Sequence, residues 1–212
     1  MTPYYQDEAV TIYHGDSREI MPSLTAQAMI TDPVWPNCPP GLLQGSQDPL
    51  GLFSGMMAAP PQGLIRIVVI LRHDSDPRFL APVPMPFFRA TILPYVMPGY
   101  IGRKLGGDEL AYCFGEPVKS APGRRVIPGR APSVMPSDRQ SNGHPCSRAL
   151  PHMRFLVNWW SNPGETIIDP YGGSGQTARA AKDLGRKAII IEIEERFCEI
   201  AAKNQAQEVM SL

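Results

Sequence analysis

The chain has no excess of charge of either sign: 20 Lys and Arg stand against 20 Asp and Glu. That balance excludes a general attraction to polyanions or membrane surfaces, so any phosphate contact must come from local clustering of cations. Cysteine is scarce too. Four occur in 212 residues (Cys38, Cys113, Cys146 and Cys198), far apart and with no C-x-x-C pair, which argues against a zinc knuckle and a disulfide scaffold. No apolar run approaches the roughly 20 residues needed to cross a bilayer; even "GLIRIVVIL" is short, carries Arg66, and reads as a core strand. With no secretory signal visible either, the expectation is a cytoplasmic protein with reduced thiols.

What is present suits a single domain over residues 1–212, with 43% hydrophobic residues to build a core. From Tyr13 to Trp35, and again from Leu64 to Leu71, short apolar runs end in turn residues, the pattern of buried parallel strands. The C-terminal zone predicts a βαβα unit. "TIID" (Thr166 to Asp169) reads as a strand, "GQTARAAKDLG" as a helix stopped at Gly185, "KAIIIEI" as a strand and "EERFCEIAAKNQAQEVM" as a helix. Between these zones, residues 116–145 are rich in Pro, Gly, Ser and Arg, which predicts a loop or short insert.

The join of the first C-terminal strand and helix, "DPYGGSGQT" (Asp169 to Thr177), concentrates chemistry. Gly172, Gly173 and Gly175 let the backbone turn tightly and approach a ligand, while the following helix directs its N-terminal amides into the same space. The next strand ends in "IEIEE", where an acid such as Glu192 is placed to bond ribose hydroxyls. The spacing departs from G-x-G-x-x-G, which disfavours a dehydrogenase. The bland reading of these glycines is a plain strand-to-helix turn, which their pattern favours less than a ligand turn. A second stretch, "ITDPVWPN" (Ile30 to Asn37), ends an apolar run on an acid, two prolines and a tryptophan, and in isolation reads as a proline-rich turn with a core tryptophan.

Together the two stretches resemble the amino-group DNA methyltransferases. "DPYGGSGQTARAAKDLGRKAIIIEIEERFCEIA" is similar to that family's S-adenosylmethionine-binding segment, and "TDPVWPN" to its catalytic D-P-P-Y turn, with Val34 in place of the second proline. "YHGDSREIMPSL" and "HPCSRALPHMRFLVNWWSNPGETIID" also have counterparts, with Arg148 and Ala149 where the family carries a Lys-Pro step. Catalytic motif first and cofactor motif last is the permuted order of the beta class. The resemblance implies a Rossmann-like α/β fold, doubly wound with a mostly parallel sheet, that binds S-adenosylmethionine, needs no metal and acts on DNA.

It also implies residue roles. Asp32, the Pro33 carbonyl and Trp35 become the catalytic set, and Asp16, His144, Asp169, Tyr171, Gly172, Gly173, Ser174, Gly175, Thr177 and Glu192 the cofactor set. Asp16 reads as readily as a helix cap in "DSRE", and His144 as structural. The expected reaction is methylation of the adenine N6 amine, because members acting on cytosine N4 more often begin the turn with Ser. Cytosine N4, RNA or protein amides, and an inactive binding protein are the alternatives. Arg66, Arg72, His73, Arg78, Arg89, Arg103, Lys104, Lys119, Arg124, Arg125, Arg130 and Arg139 populate the middle of the chain, as phosphate contacts or as a solvated linker. For so short a recognition region the expectation is loose sequence preference, or recognition shared across a homodimer, and by resemblance the short chain fits a solitary phage or prophage enzyme.

Overall fold

A sheet covered on both faces accounts for the near-continuous apolar runs of this sequence. In the computed structural model, which describes residues 2–96, 99–101, 104–119, 126–138 and 143–206, the strands are β1 (Tyr5–Gln6), β2 (Val10–His14), β3 (Ala28–Thr31), β4 (Arg66–Arg72), β5 (Phe87–Leu93), β6 (Gly99–Ile101), β7 (Lys104–Gly106), β8 (Glu109–Gly115), β9 (Thr166–Asp169) and β10 (Lys187–Glu192). The helices are α1 (Ser17–Ile20), α2 (Pro49–Met57), α3 (Leu150–Trp160), α4 (Gln176–Asp183) and α5 (Glu195–Ala206). Strand β4 shows the principle: Ile67, Val69 and Leu71 join the core beneath α1 and α2, while Val68 and Ile70 join the core beneath α3, α4 and α5. Successive residues serve opposite layers, so Ile67 to Leu71 are all apolar.

The main sheet has the order β1-β2-β10-β9-β3-β4-β8-β5. Its centre, from β2 to β4, is parallel, and β1, β8 and β5 are antiparallel additions. The βαβα unit of β9, α4, β10 and α5 lies within the predicted ranges; the part of its last helix predicted beyond Ala206 is outside the described residues. From β9 the chain steps to β10 on one side, while β3 lies on the other. That reversal opens a crevice at the carboxyl ends of the strands, where doubly wound sheets bind ligands.

Some elements escape the sequence pattern. Helix α2, "PLGLFSGMM", carries two glycines, yet forms because Asp48 caps the Gly51 amide at 2.9 Å and Pro49 suits the first turn. Strand β5 exposes Phe87 and Phe88 in succession and shows no clean alternation. Within residues 116–145 the described parts include a turn of 3-10 helix at Pro136–Asp138 and bridges from Arg130 to Ile92 and from Val134 to Tyr95; the remainder is outside the described residues. Among the described residues no helix is long and apolar enough to cross a membrane, and all four cysteines are free thiols.

Candidate active site

Four strand ends meet at the crevice. Asp16 follows β2, Asp32 follows β3, Asp169 closes β9 and Glu192 closes β10, and all line one cavity of about 520 Å³. Pro33, Trp35, His144, Tyr171, Gly172, Gly173, Ser174 and Thr177 line it as well.

The glycine turn is pinned from behind. Asn204 and Gln205 of α5 donate to the Ser174 and Gly175 carbonyls at 2.8 and 3.1 Å, and the Gly173 amide donates to Glu192 at 2.7 Å. Glu192 also accepts from the Glu194 amide, and burial holds its carboxyl above the ordinary range. Gly173 has φ +50° and Gly175 φ +78°, both left-handed. Their neighbours differ. A Cβ on Gly173 would lie 3.1 Å from His144 Nε2, at the cavity, whereas one on Gly175 would meet Gln205 and Ala201 of α5. Gly175 lies behind the cavity wall, where it is the N-cap of α4 and lets α5 pack closely.

Several predicted residues turn out to hold one another. The Thr177 and Thr31 hydroxyls donate to Asp169 at 2.6 and 2.8 Å, and the Tyr171 amide donates at 3.1 Å. The Ser174 hydroxyl is 2.9 Å from that of Ser147. Asp16 caps α1 through the Arg18 amide at 2.9 Å, pairs with the Arg18 guanidinium and lines the cavity. His144 Nδ1 accepts from the Cys146 amide at 3.2 Å and its ring packs edge-on against Phe197; burial, with the Arg148 charge, pushes it down to about 4, so it is neutral at physiological pH. Among the described residues, the Tyr171 hydroxyl and Gln176 Oε1 are buried in this cavity wall without a hydrogen-bond partner, as expected of a site built for a ligand with polar edges.

On the other side of the cavity the Asp32 carboxylate is held from two directions. Trp35 Nε1 donates to one oxygen at 2.8 Å and Arg148 Nε donates to the other. Arg148 also donates to Glu109 and lies 4.5 Å over the Trp35 ring. Burial raises Asp32 to about 6, opposed by the Arg148 charge and reinforced by that of Glu109. Glu109 was not read from the sequence; its only local signal is an acid directly before the apolar run "LAYCF". It arrives here because β8 is antiparallel to β4: its first residue pairs with Arg72, at the carboxyl end of the parallel strands.

Asp169 is raised further, to about 7, by burial that outweighs its hydrogen bonds from Thr177, Thr31 and the Tyr171 amide. With its ordinary value of 3.8 in the unfolded chain, the folded state binds this proton more tightly. The resulting stability is complete below the unfolded value and is lost as pH rises through the folded one. Urea unfolding should therefore show wild-type stability falling between about pH 5 and pH 8 by on the order of 2 kcal/mol more than in Asp169→Asn. Parallel pH dependences for the two proteins would contradict this titration.

Among the described residues, the cations of the middle zone have separate surroundings. Arg66, expected among phosphate contacts, is buried in β4 and paired with Glu165 at 2.5 Å, because residue 66 begins a central strand. Arg72 lines the cavity and pairs with Asp74, Arg78 is exposed and paired with Asp76, and Arg89 donates to the Ile127 carbonyl. His73, Lys119 and Arg130 are exposed. Arg103, Arg124, Arg125 and Arg139 lie outside the described residues, as does the side chain of Lys104.

Known proteins resemble this chain in sequence and in fold. A family model described as DNA methylase matches residues 4–203. The YubD protein of Escherichia coli (strain K12) is 32% identical over 100 residues, 46% of this chain and 40% of that protein. The type II methyltransferase M.EcaI of Enterobacter cloacae is 44% identical over 50 residues, 24% of this chain and 11% of that protein, so the matches span less than half the length of these relatives. Among solved structures, a complex of M1.HpyAVI with SAM superposes with a TM-score of 0.72 at 22% identity, covering 93% of this chain and 100% of that one. The cytosine-N4-specific PvuII DNA methyltransferase superposes equally well, with a TM-score of 0.72 at 15% identity over 99% of this chain and 90% of that one. Both likenesses establish the fold.

Proposed function

Because this chain belongs to the DNA methylase family, whose model spans residues 4–203, we propose that it transfers a methyl group from S-adenosylmethionine to an exocyclic amine in DNA, that of adenine N6. The carrying observation is the placement of the Asp32 carboxylate and the glycine turn after β9 on the same cavity. Residues 1–212 act as one methyltransferase domain in this reading, with 116–145 as the recognition insert and DNA as the partner.

The cavity suits the cofactor. Gly172 and Gly173 line it, with Gly172 packed close on Ile190 of β10, and Tyr171 and Gln176 carry unpartnered polar atoms within its wall. Asp16, His144, Asp169, Ser174 and Glu192 complete the surface that would hold it, with Thr177 fixing Asp169. When bound, the cofactor supplies an electrophilic methyl group on a sulfonium.

The rest of the reaction falls to the protein. An adenine amine is a poor nucleophile because its lone pair is delocalised into the ring. Acceptors placed against its two hydrogens help it become tetrahedral, and Asp32 and the Pro33 carbonyl provide them. Proline suits the second role because it has no amide hydrogen and fixes the local backbone. Asp32 is more basic than a free carboxylate, so it can also hold the departing amine proton. Reaching the base requires its extrusion from the duplex, and Trp35 offers an aromatic face against which it can rest. The separation of adenine from cytosine rests on Asp32 itself, whose carboxylate begins the turn where cytosine enzymes of this type more often carry Ser.

Unmethylated duplex DNA is incubated with the protein and S-adenosylmethionine, digested to nucleosides and analysed by mass spectrometry. N6-methyladenine is the expected product. N4-methylcytosine would overturn the adenine assignment, and neither product, in a preparation that binds the cofactor, would overturn the DNA reaction.

A further inference from the structure

One guanidinium in this site makes three contacts that no other side chain could make together. Arg148 donates from Nε to Asp32 and from Nη1 to Glu109, and its Cζ lies 4.5 Å from the centre of the Trp35 ring. Trp35 closes the ring of contacts by donating to Asp32 at 2.8 Å, and it is fixed a second time by the Ile70 carbonyl at 3.2 Å. We propose that Arg148 and Glu109 are positioning residues: Glu109 anchors the guanidinium, which in turn holds both the Asp32 carboxylate and the Trp35 ring where a target base must meet them. The inference rests on the methyl-transfer reading above.

Burial separates the roles of the two acids. The Glu109 side chain is 2% exposed and does not line the cavity, whereas that of Asp32 is 17% exposed and does. Glu109 therefore cannot touch a substrate and acts only through Arg148. A buried charge triad is not favoured for stability alone, since apolar residues of similar volume commonly do as well. What the triad supplies here is orientation. Arginine is required for it, because a planar fork can hold two carboxylates and lie over an aromatic ring at once, while the compact ammonium of lysine can retain the charge but not that set of directions.

The electrostatics give a readout that packing alone would not move. Facing this cluster are Asp169 from β9, Tyr95 beside Glu109, His144 on the Arg148 segment and Arg72 near Trp35. Of the charges near Asp32, that of Arg148 favours its ionised form and that of Glu109 opposes it. Removing each should displace the Asp32 titration in opposite directions.

The test compares Arg148→Met, Arg148→Lys and Glu109→Gln in the full chain. For Arg148→Met, kcat should fall on the order of 100-fold, as for a misplaced catalytic group, with the KM for S-adenosylmethionine unchanged. The acid limb of its kcat profile should move up by about one pH unit or more. Glu109→Gln should lower kcat and move that limb down, and Arg148→Lys should lower kcat with little movement. Wild-type kcat in Arg148→Met, or limbs that stay in place in both charge-removing variants, would overturn the role. A second measurement needs no turnover. In the 15N-labelled protein the Trp35 indole N–H resonance, assigned by its loss in Trp35→Phe, should titrate with Asp32, and its midpoint should rise in Arg148→Met. If the wild type methylates no DNA, the proposed function fails by itself; an indole midpoint unchanged in Arg148→Met then separately overturns the positioning role.

Discussion

Asp32→Ala is expected to lower methyl transfer on the order of 1,000-fold or more, while S-adenosylmethionine still binds. The loss follows from removing the acceptor that meets the amine. Binding should survive because the glycine turn does not depend on Asp32: it is held by Asn204, Gln205 and Glu192. Nor should the fold collapse. Deleting one partner of a buried ion pair costs about 3–5 kcal/mol when the other charge is left alone. Here Arg148 keeps Glu109, so the cost should be smaller. Quantifying methylated nucleosides alongside calorimetric binding of the cofactor checks both halves. Wild-type turnover in the variant would show that Asp32 is not the catalytic acceptor.

Gly173→Val should abolish cofactor binding, weakening Kd by more than about 100-fold, or roughly 3 kcal/mol. Two costs combine. Gly173 sits at φ +50°, a left-handed conformation that costs an L-residue about 1–2 kcal/mol. Its new Cβ would also lie 3.1 Å from His144 Nε2. His144 has little room to retreat, being tied to the Cys146 amide and packed on Phe197, so the turn must give instead and carry the Glu192 contact with it. Gly164→Val separates strain from obstruction, because Gly164 has φ +80° but nothing within 4 Å of its Cβ. That variant should lose stability and bind normally. Cofactor binding by Gly173→Val at wild-type strength would mean that the ligand does not use this turn.

The parts of the molecule legible beforehand are those whose cause is local in the chain. Strands β3, β4, β9 and β10 are buried on both faces, so they appear as continuous apolar runs stopped by turn residues, and Gly175 and Gly185 mark the bounds of α4. The order of the two motifs was visible for the same reason: backbone turns depend on neighbouring residue types.

Helix α2 was hidden by its glycines, and β5 and β8 by belonging to an antiparallel edge that carries no shared period with the central strands. The sequence alone determined a doubly wound sheet with a glycine turn at its carboxyl edge and an acid at the end of an earlier strand. It did not distinguish Gly173 from Gly175, although both adopt the same rare backbone, because one faces the cavity and the other faces α5. Nor did it show what holds Asp32. Arg148 is 116 positions from Asp32 and 39 from Glu109, and they meet only because β3 lies beside β4 and β8 runs back against it. Turn chemistry and periodicity act between neighbours in the chain, whereas ion pairing and burial depend on which strands become neighbours in the sheet, and that choice is made only on folding.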